Sequence, residues 1–113
     1  MSPARTQALL WLAQRATATL LALCVVVHLA TMMVVTRGGL SAADILGRTR
    51  GSAAWAAFYS LFVVAVAVHA PIGLRTVLVE WAGARGRIVD LALLLVALVL
   101  LATGLRAVYA VTV

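Results

Sequence analysis

Hydrophobic positions in this chain fall into three long blocks rather than an alternating pattern. Residues 16–36 carry no charged side chain, and neither do residues 51–74. A third block begins near Ile88 and is uncharged from Leu91 to Leu105, with Arg106 close enough to its end to snorkel toward headgroups beside Tyr109. A helix needs about 20 apolar residues to cross a bilayer, and each block meets that length. The pattern predicts an all-α fold of three transmembrane helices near residues 12–35, 53–78 and 88–110, in a single domain over 1–113. The first block is too long for a cleavable signal peptide, lacks a small-residue cleavage site and contains a histidine.

Two loops join the blocks. The longer, roughly 36–52, opens with Arg37-Gly38-Gly39. In it, Ser41-Ala42-Ala43-Asp44 has the form of a capping box with Asp in the acidic position, ahead of a short interfacial helical turn. The second, Ala82-Gly83-Ala84-Arg85-Gly86-Arg87, is a tight turn, which makes the second and third spans antiparallel neighbours. The last span reads as a lipid-facing or packing helix without chemistry.

Composition narrows the class further. Hydrophobic residues make up 65% of the 113 positions and charged residues 11%, too little polar surface for a soluble domain of this length. The formal charge of +6 comes from nine arginines and no lysine against three acids. These arginines punctuate the apolar blocks and form no patch, so the charge marks segment ends and excludes a nucleic-acid face. The side holding the N-terminus and second loop carries Arg5, Arg15, Arg75, Arg85 and Arg87, against Arg37, Arg48, Arg50 and Arg106 on the other. That excess places the N-terminus in the cytoplasm, and a bacterial-type inner membrane is the expected location. Cys24 is the only cysteine, so the chain holds neither a disulfide nor an iron–sulfur cluster by itself.

Ionisable groups inside a bilayer are costly and therefore candidates for function. Deep in the spans they are His28 and His69, with Arg15, Arg75 and Glu80 at the ends. Imidazole is an axial ligand for haem iron; it also serves as polar glue between helices. Both readings remain open on the residues alone. Taken from the midpoints of the expected spans, the two histidines lie in opposite leaflets, roughly 11 Å apart in depth. They therefore do not share one iron, and each would need a partner histidine from another chain. His69, Gly73, Thr76 and Glu80 form one helical stripe, in which Gly73 leaves room for a flat ring or another helix. Pro71 should kink the helix, and Trp81 ends it at the interface.

The segments Gln14-Arg15-Ala16-Thr17-Ala18-Thr19-Leu20 and His69-Ala70-Pro71-Ile72-Gly73-Leu74-Arg75-Thr76-Val77-Leu78-Val79-Glu80-Trp81 resemble the hydrophobic membrane anchor (D, cytochrome b) subunit of succinate dehydrogenase. That family opens its first helix with R-A-T and ends its second with H-A-x-I-G-x-x-x-V-L-x-D-Y. The resemblance implies a respiratory complex. In it a second anchor subunit (C) shares haem b with this chain, and flavoprotein and iron–sulfur subunits dock on the cytoplasmic face. Electrons from succinate then reach quinone at the membrane boundary. It implies His69 as a haem ligand with Gly73 beside it, Arg15 near the haem propionates, and Glu80 and Trp81 at the quinone. Trp81 stands where the family has a phenol, and an indole donates a hydrogen bond without accepting one. His28 has no counterpart in single-haem members, whereas two-haem relatives carry a distal ligand on the first helix, so the chain holds one haem or two. Two other functions remain on the residues: a cytochrome b subunit of another quinone-linked oxidoreductase such as fumarate reductase, and a non-redox membrane protein whose histidines are helix glue.

Overall fold

The computed structural model describes residues 2–113 as four helices: α1 (Pro3–Arg37), α2 (Ala42–Thr49), α3 (Ala53–Ala82) and α4 (Arg87–Thr112). Three of them, α1, α3 and α4, are long and apolar enough to cross a membrane. The chain is a multi-pass, all-α membrane protein.

The first helix starts earlier than the apolar block suggests, at Pro3 and not near residue 12. Ser2 caps it by accepting from the Arg5 amide, and Pro3 stands in the first turn, where its missing N–H costs no bond. Arg5 and Arg15 interrupt the apolar pattern, while the helix runs on through them. At 35 residues α1 is about 52 Å long, which matches the molecule's longest dimension of 50 Å. Likewise α3 continues four residues past 78 to Ala82, and α4 spans 87–112 where 88–110 was expected. No break in α3 occurs at Pro71.

The capping box is present. Ser41 Oγ accepts from the Asp44 amide at 3.2 Å, and Asp44 Oδ2 accepts from the Ser41 amide at 2.8 Å. It starts a helix of two turns. Hydrogen bonds from the Ser41 side chain and then its backbone hold the Asp44 carboxyl below its ordinary 3.8. The following segment is pinned to the end of α4. Thr49 Oγ1 donates to the Val111 carbonyl at 2.6 Å, and the Gly51 amide donates to the Thr112 carbonyl at 2.9 Å. Two carbonyls of the last helical turn, which have no partner within the helix, are thereby satisfied.

At the other end Gly83, at φ 61°, closes α3 in the left-handed conformation, and the Ala84 amide donates to the Leu78 carbonyl at 3.0 Å. The turn then leads into α4, which an ion pair ties back to α3: Arg75 Nε lies 3.3 Å from Asp90 Oδ1.

Packing follows the logic of a bilayer, where small residues let helices approach and large ones face outward. The central helix α3 packs against α1 on one side and α4 on the other. Buried positions include Cys24, Ala65 and Ala67, while Leu23, Val26, Val34, Leu95 and Leu98 are more than half exposed. Between α3 and α4, Gly104 sits tightly against Val63: a Cβ there would fall 2.5 Å from Val63 Cγ1. Helix α4 thus carries a specific packing device in a stretch the sequence reads as featureless.

Candidate functional site

The stripe on α3 faces α1. His69 Nδ1 lies 3.2 Å from Thr17 Oγ1. One turn further, the space a side chain would take at Gly73 holds the Gln14 amide, whose Nε2 is 3.1 Å from the site of a Cβ. Thr76 and Glu80 continue the line beside Gln7. A polar row on α1 (Gln7, Gln14, Thr17) therefore meets the polar row on α3. Sequence reasoning missed that α1 row as a site. Its signal was present in the seven-residue step from Gln7 to Gln14 followed by Thr17 three residues on, one helical face.

Thr17 is bonded along its own helix as well. Its hydroxyl is 2.7 Å from the Ala13 carbonyl and 3.2 Å from that of Gln14. The Gln14 Oε1 atom is buried without a hydrogen-bond partner among the described residues. The groove beside it is a cavity of about 320 Å³ lined by Trp11, Ile72, Arg75 and Thr76. A second, more polar cavity of about 340 Å³ adjoins it toward the end of α3, between Arg75, Glu80 and Arg85.

The remaining expected site residues separate. Arg15 is exposed, with its guanidinium 5.4 Å over the Trp11 ring, a cation–π arrangement across one turn of α1. Glu80 lines the polar cavity, whereas Trp81 is 86% exposed and turned away from it.

His28 belongs to the opposite end. Its Nδ1 is 3.5 Å from the Tyr59 hydroxyl, and its ring stands edge-on to Tyr59 and Phe62. An apolar cavity of about 350 Å³ opens beside it, lined by Tyr59, Val63 and Gly104. A larger one of about 470 Å³ adjoins under α2, between Ile45, Arg48, Thr49 and Trp55.

These contacts give the helix register directly. Thr17 is level with His69, and His28 with Tyr59, so the two imidazoles lie about 15 Å apart along the bundle. The separation of roughly 11 Å expected from span midpoints is too small, because the helices are not centred on their apolar blocks. Cys24 and Ala65, 3% and 2% exposed, fill the level between. Among the described residues no three His, Cys, Asp or Glu side chains gather into a metal site. His69 and His28 lie too far apart to share one metal, and each could offer a single imidazole nitrogen to a bound iron.

The succinate dehydrogenase/fumarate reductase transmembrane subunit family model matches residues 1–107. No curated protein and no solved structure matches the chain. A match over nearly the full length, on a chain of three apolar helices carrying an intramembrane histidine at each end, shows that the chain belongs to the succinate dehydrogenase/fumarate reductase transmembrane subunit family.

Proposed function

We propose that this chain is the D-type anchor of a succinate dehydrogenase, sharing haem b with a second anchor subunit and forming part of a quinone site. The observation that carries the reading is His69. It is an imidazole inside a span with one nitrogen held by Thr17, and among the described residues no three His, Cys, Asp or Glu side chains gather around it. Such a residue supplies one axial ligand and requires another from a partner. A haem bound there supplies a one-electron store within reach of the membrane boundary. Arg15, exposed and two residues before Thr17 on α1, supports the reading as a cation for haem propionates.

The quinone reading rests on the groove between the two polar rows. It is apolar along Trp11 and Ile72 and polar at Arg75 and Thr76, with Glu80 at the outer rim. A quinone ring suits the first part and its carbonyl oxygens suit the donors. Trp81, turned outward, serves as an interfacial anchor or meets another subunit. The end of the molecule that carries Arg5, Arg15, Arg75, Arg85 and Arg87 is the cytoplasmic end in this reading, where flavoprotein and iron–sulfur subunits dock.

His28 supports a second haem. Its level is too far from His69 for a shared iron, and a cavity opens beside it. A fumarate reductase anchor is the alternative for the whole complex, since the family covers both directions of flux. Affinity purification of the tagged chain from its native membrane tests the proposal. Expected are a flavoprotein, an iron–sulfur protein and a second hydrophobic subunit, with a reduced b-type spectrum. Recovery without a flavoprotein would overturn it.

A further inference from the structure

We propose that Thr17 presets the tautomer of His69, leaving Nε2 as the bare nitrogen that faces the iron; the ligand role rests on the haem reading above. The Thr17 hydroxyl has one hydrogen, and three polar atoms lie around it. The carbonyls of Ala13 at 2.7 Å and Gln14 at 3.2 Å only accept, while His69 Nδ1 at 3.2 Å either donates or accepts according to tautomer. Back-bonding of a threonine hydroxyl to the preceding turn is ordinary in helices. Here the shortest of the three contacts takes the hydrogen to Ala13. The Thr17 oxygen is then an acceptor toward His69, and Nδ1 must carry the proton. A neutral imidazole has only one such proton, so Nε2 keeps its lone pair.

The opposite arrangement is worse on each count. If Thr17 donated to Nδ1, the 2.7 Å contact would join two acceptors with no hydrogen between them. The Nε2–H would then have no hydrogen-bond partner among the described residues, which is expensive within a membrane span. Thr17 is thus a positioning residue that acts through His69. Nothing equivalent fixes His28, whose neighbour Tyr59 has no other hydrogen-bond partner for its hydroxyl among the described residues.

The direct test is nitrogen-15 magnetic resonance of the full-length, haem-free chain in lipid bilayers. His28→Gln leaves a single histidine signal, read at about pH 8.5, where an ordinary imidazole is neutral. A protonated Nδ1 and bare Nε2 are expected; an Nε2–H ring with Thr17 intact would overturn the inference, so the result does not depend on any Thr17 variant folding. Thr17→Val should shift the population toward Nε2–H, and Thr17→Ser should restore it.

The assembled complex gives a second readout. A hydrogen bond from Nδ1–H makes the ligand more basic and favours ferric iron. Thr17→Val should therefore raise the haem midpoint potential, with Thr17→Ser returning it to the parent value. His69→Ala run in parallel separates the two ideas. Haem lost in His69→Ala with midpoint and tautomer unmoved in Thr17→Val overturns this inference alone. Haem retained unchanged in His69→Ala overturns the haem reading, and with it the ligand role given to Thr17.

Discussion

At the scale of single residues, charge and hydrogen bonding carry the sharpest expectations. Arg15 stacks over Trp11 and forms no ion pair among the described residues, so its charge is free to act on a neighbouring group. Arg15→Leu should lower the midpoint of the nearer haem, because removing a nearby cation favours the more positive ferric form; potentiometric titration of the complex reads the change. Asp44 behaves differently. Its carboxyl is held below the ordinary range by Ser41, so the charged form stabilises α2. That contribution is complete above the unfolded carboxyl's value of 3.8 and fades as pH falls through the lower folded value. Asp44→Asn should therefore increase amide exchange in α2 at neutral pH, with the difference from the parent shrinking as pH falls through the lowered folded value. The ion pair of Arg75 and Asp90 has side chains 43% and 58% exposed and offers little, about 0–1 kcal/mol.

At the scale of the helices, two glycines allow a comparison. Gly73→Ala would meet the Gln14 amide at 3.1 Å, the tip of a flexible side chain that can swing aside. Gly104→Ala would meet Val63 at 2.5 Å, a branched side chain close to the α3 backbone, and must push α4 away. The first should cost under about 1 kcal/mol and the second about 1–3 kcal/mol, a difference readable as the thermal midpoint of the complex in detergent. The spans were legible in the sequence because a bilayer demands unbroken apolar blocks, and those survive any detail of packing. The extension of α1 over Pro3–Trp11 was not, since Arg5 and Arg15 interrupt the block; its start lay in Ser2-Pro3, a cap and first-turn pair. Register was hidden for another reason. It depends on which side chains interlock, such as Gly104 with Val63 or Gln14 with Gly73, and hydropathy carries no record of that. The Thr17–His69 contact is of the same kind, although His69 itself stood out as an imidazole in an apolar run.

For the whole molecule, the essential feature is two histidine levels about 15 Å apart, separated by a tightly packed layer at Cys24 and Ala65. Each level has its own aromatic or polar neighbours, and a cavity opens beside His28, so the two sites should respond independently. If each histidine holds its own haem, as proposed, His28→Ala should remove the outer one and leave the inner one at its parent potential. The central claim is that His69 is the ligand of the inner haem. Haem-to-flavin ratio in the purified His69→Ala complex tests it most directly. The account predicts the loss of one haem per flavin, with all subunits still co-purifying; an unchanged ratio with an unchanged midpoint potential would contradict it.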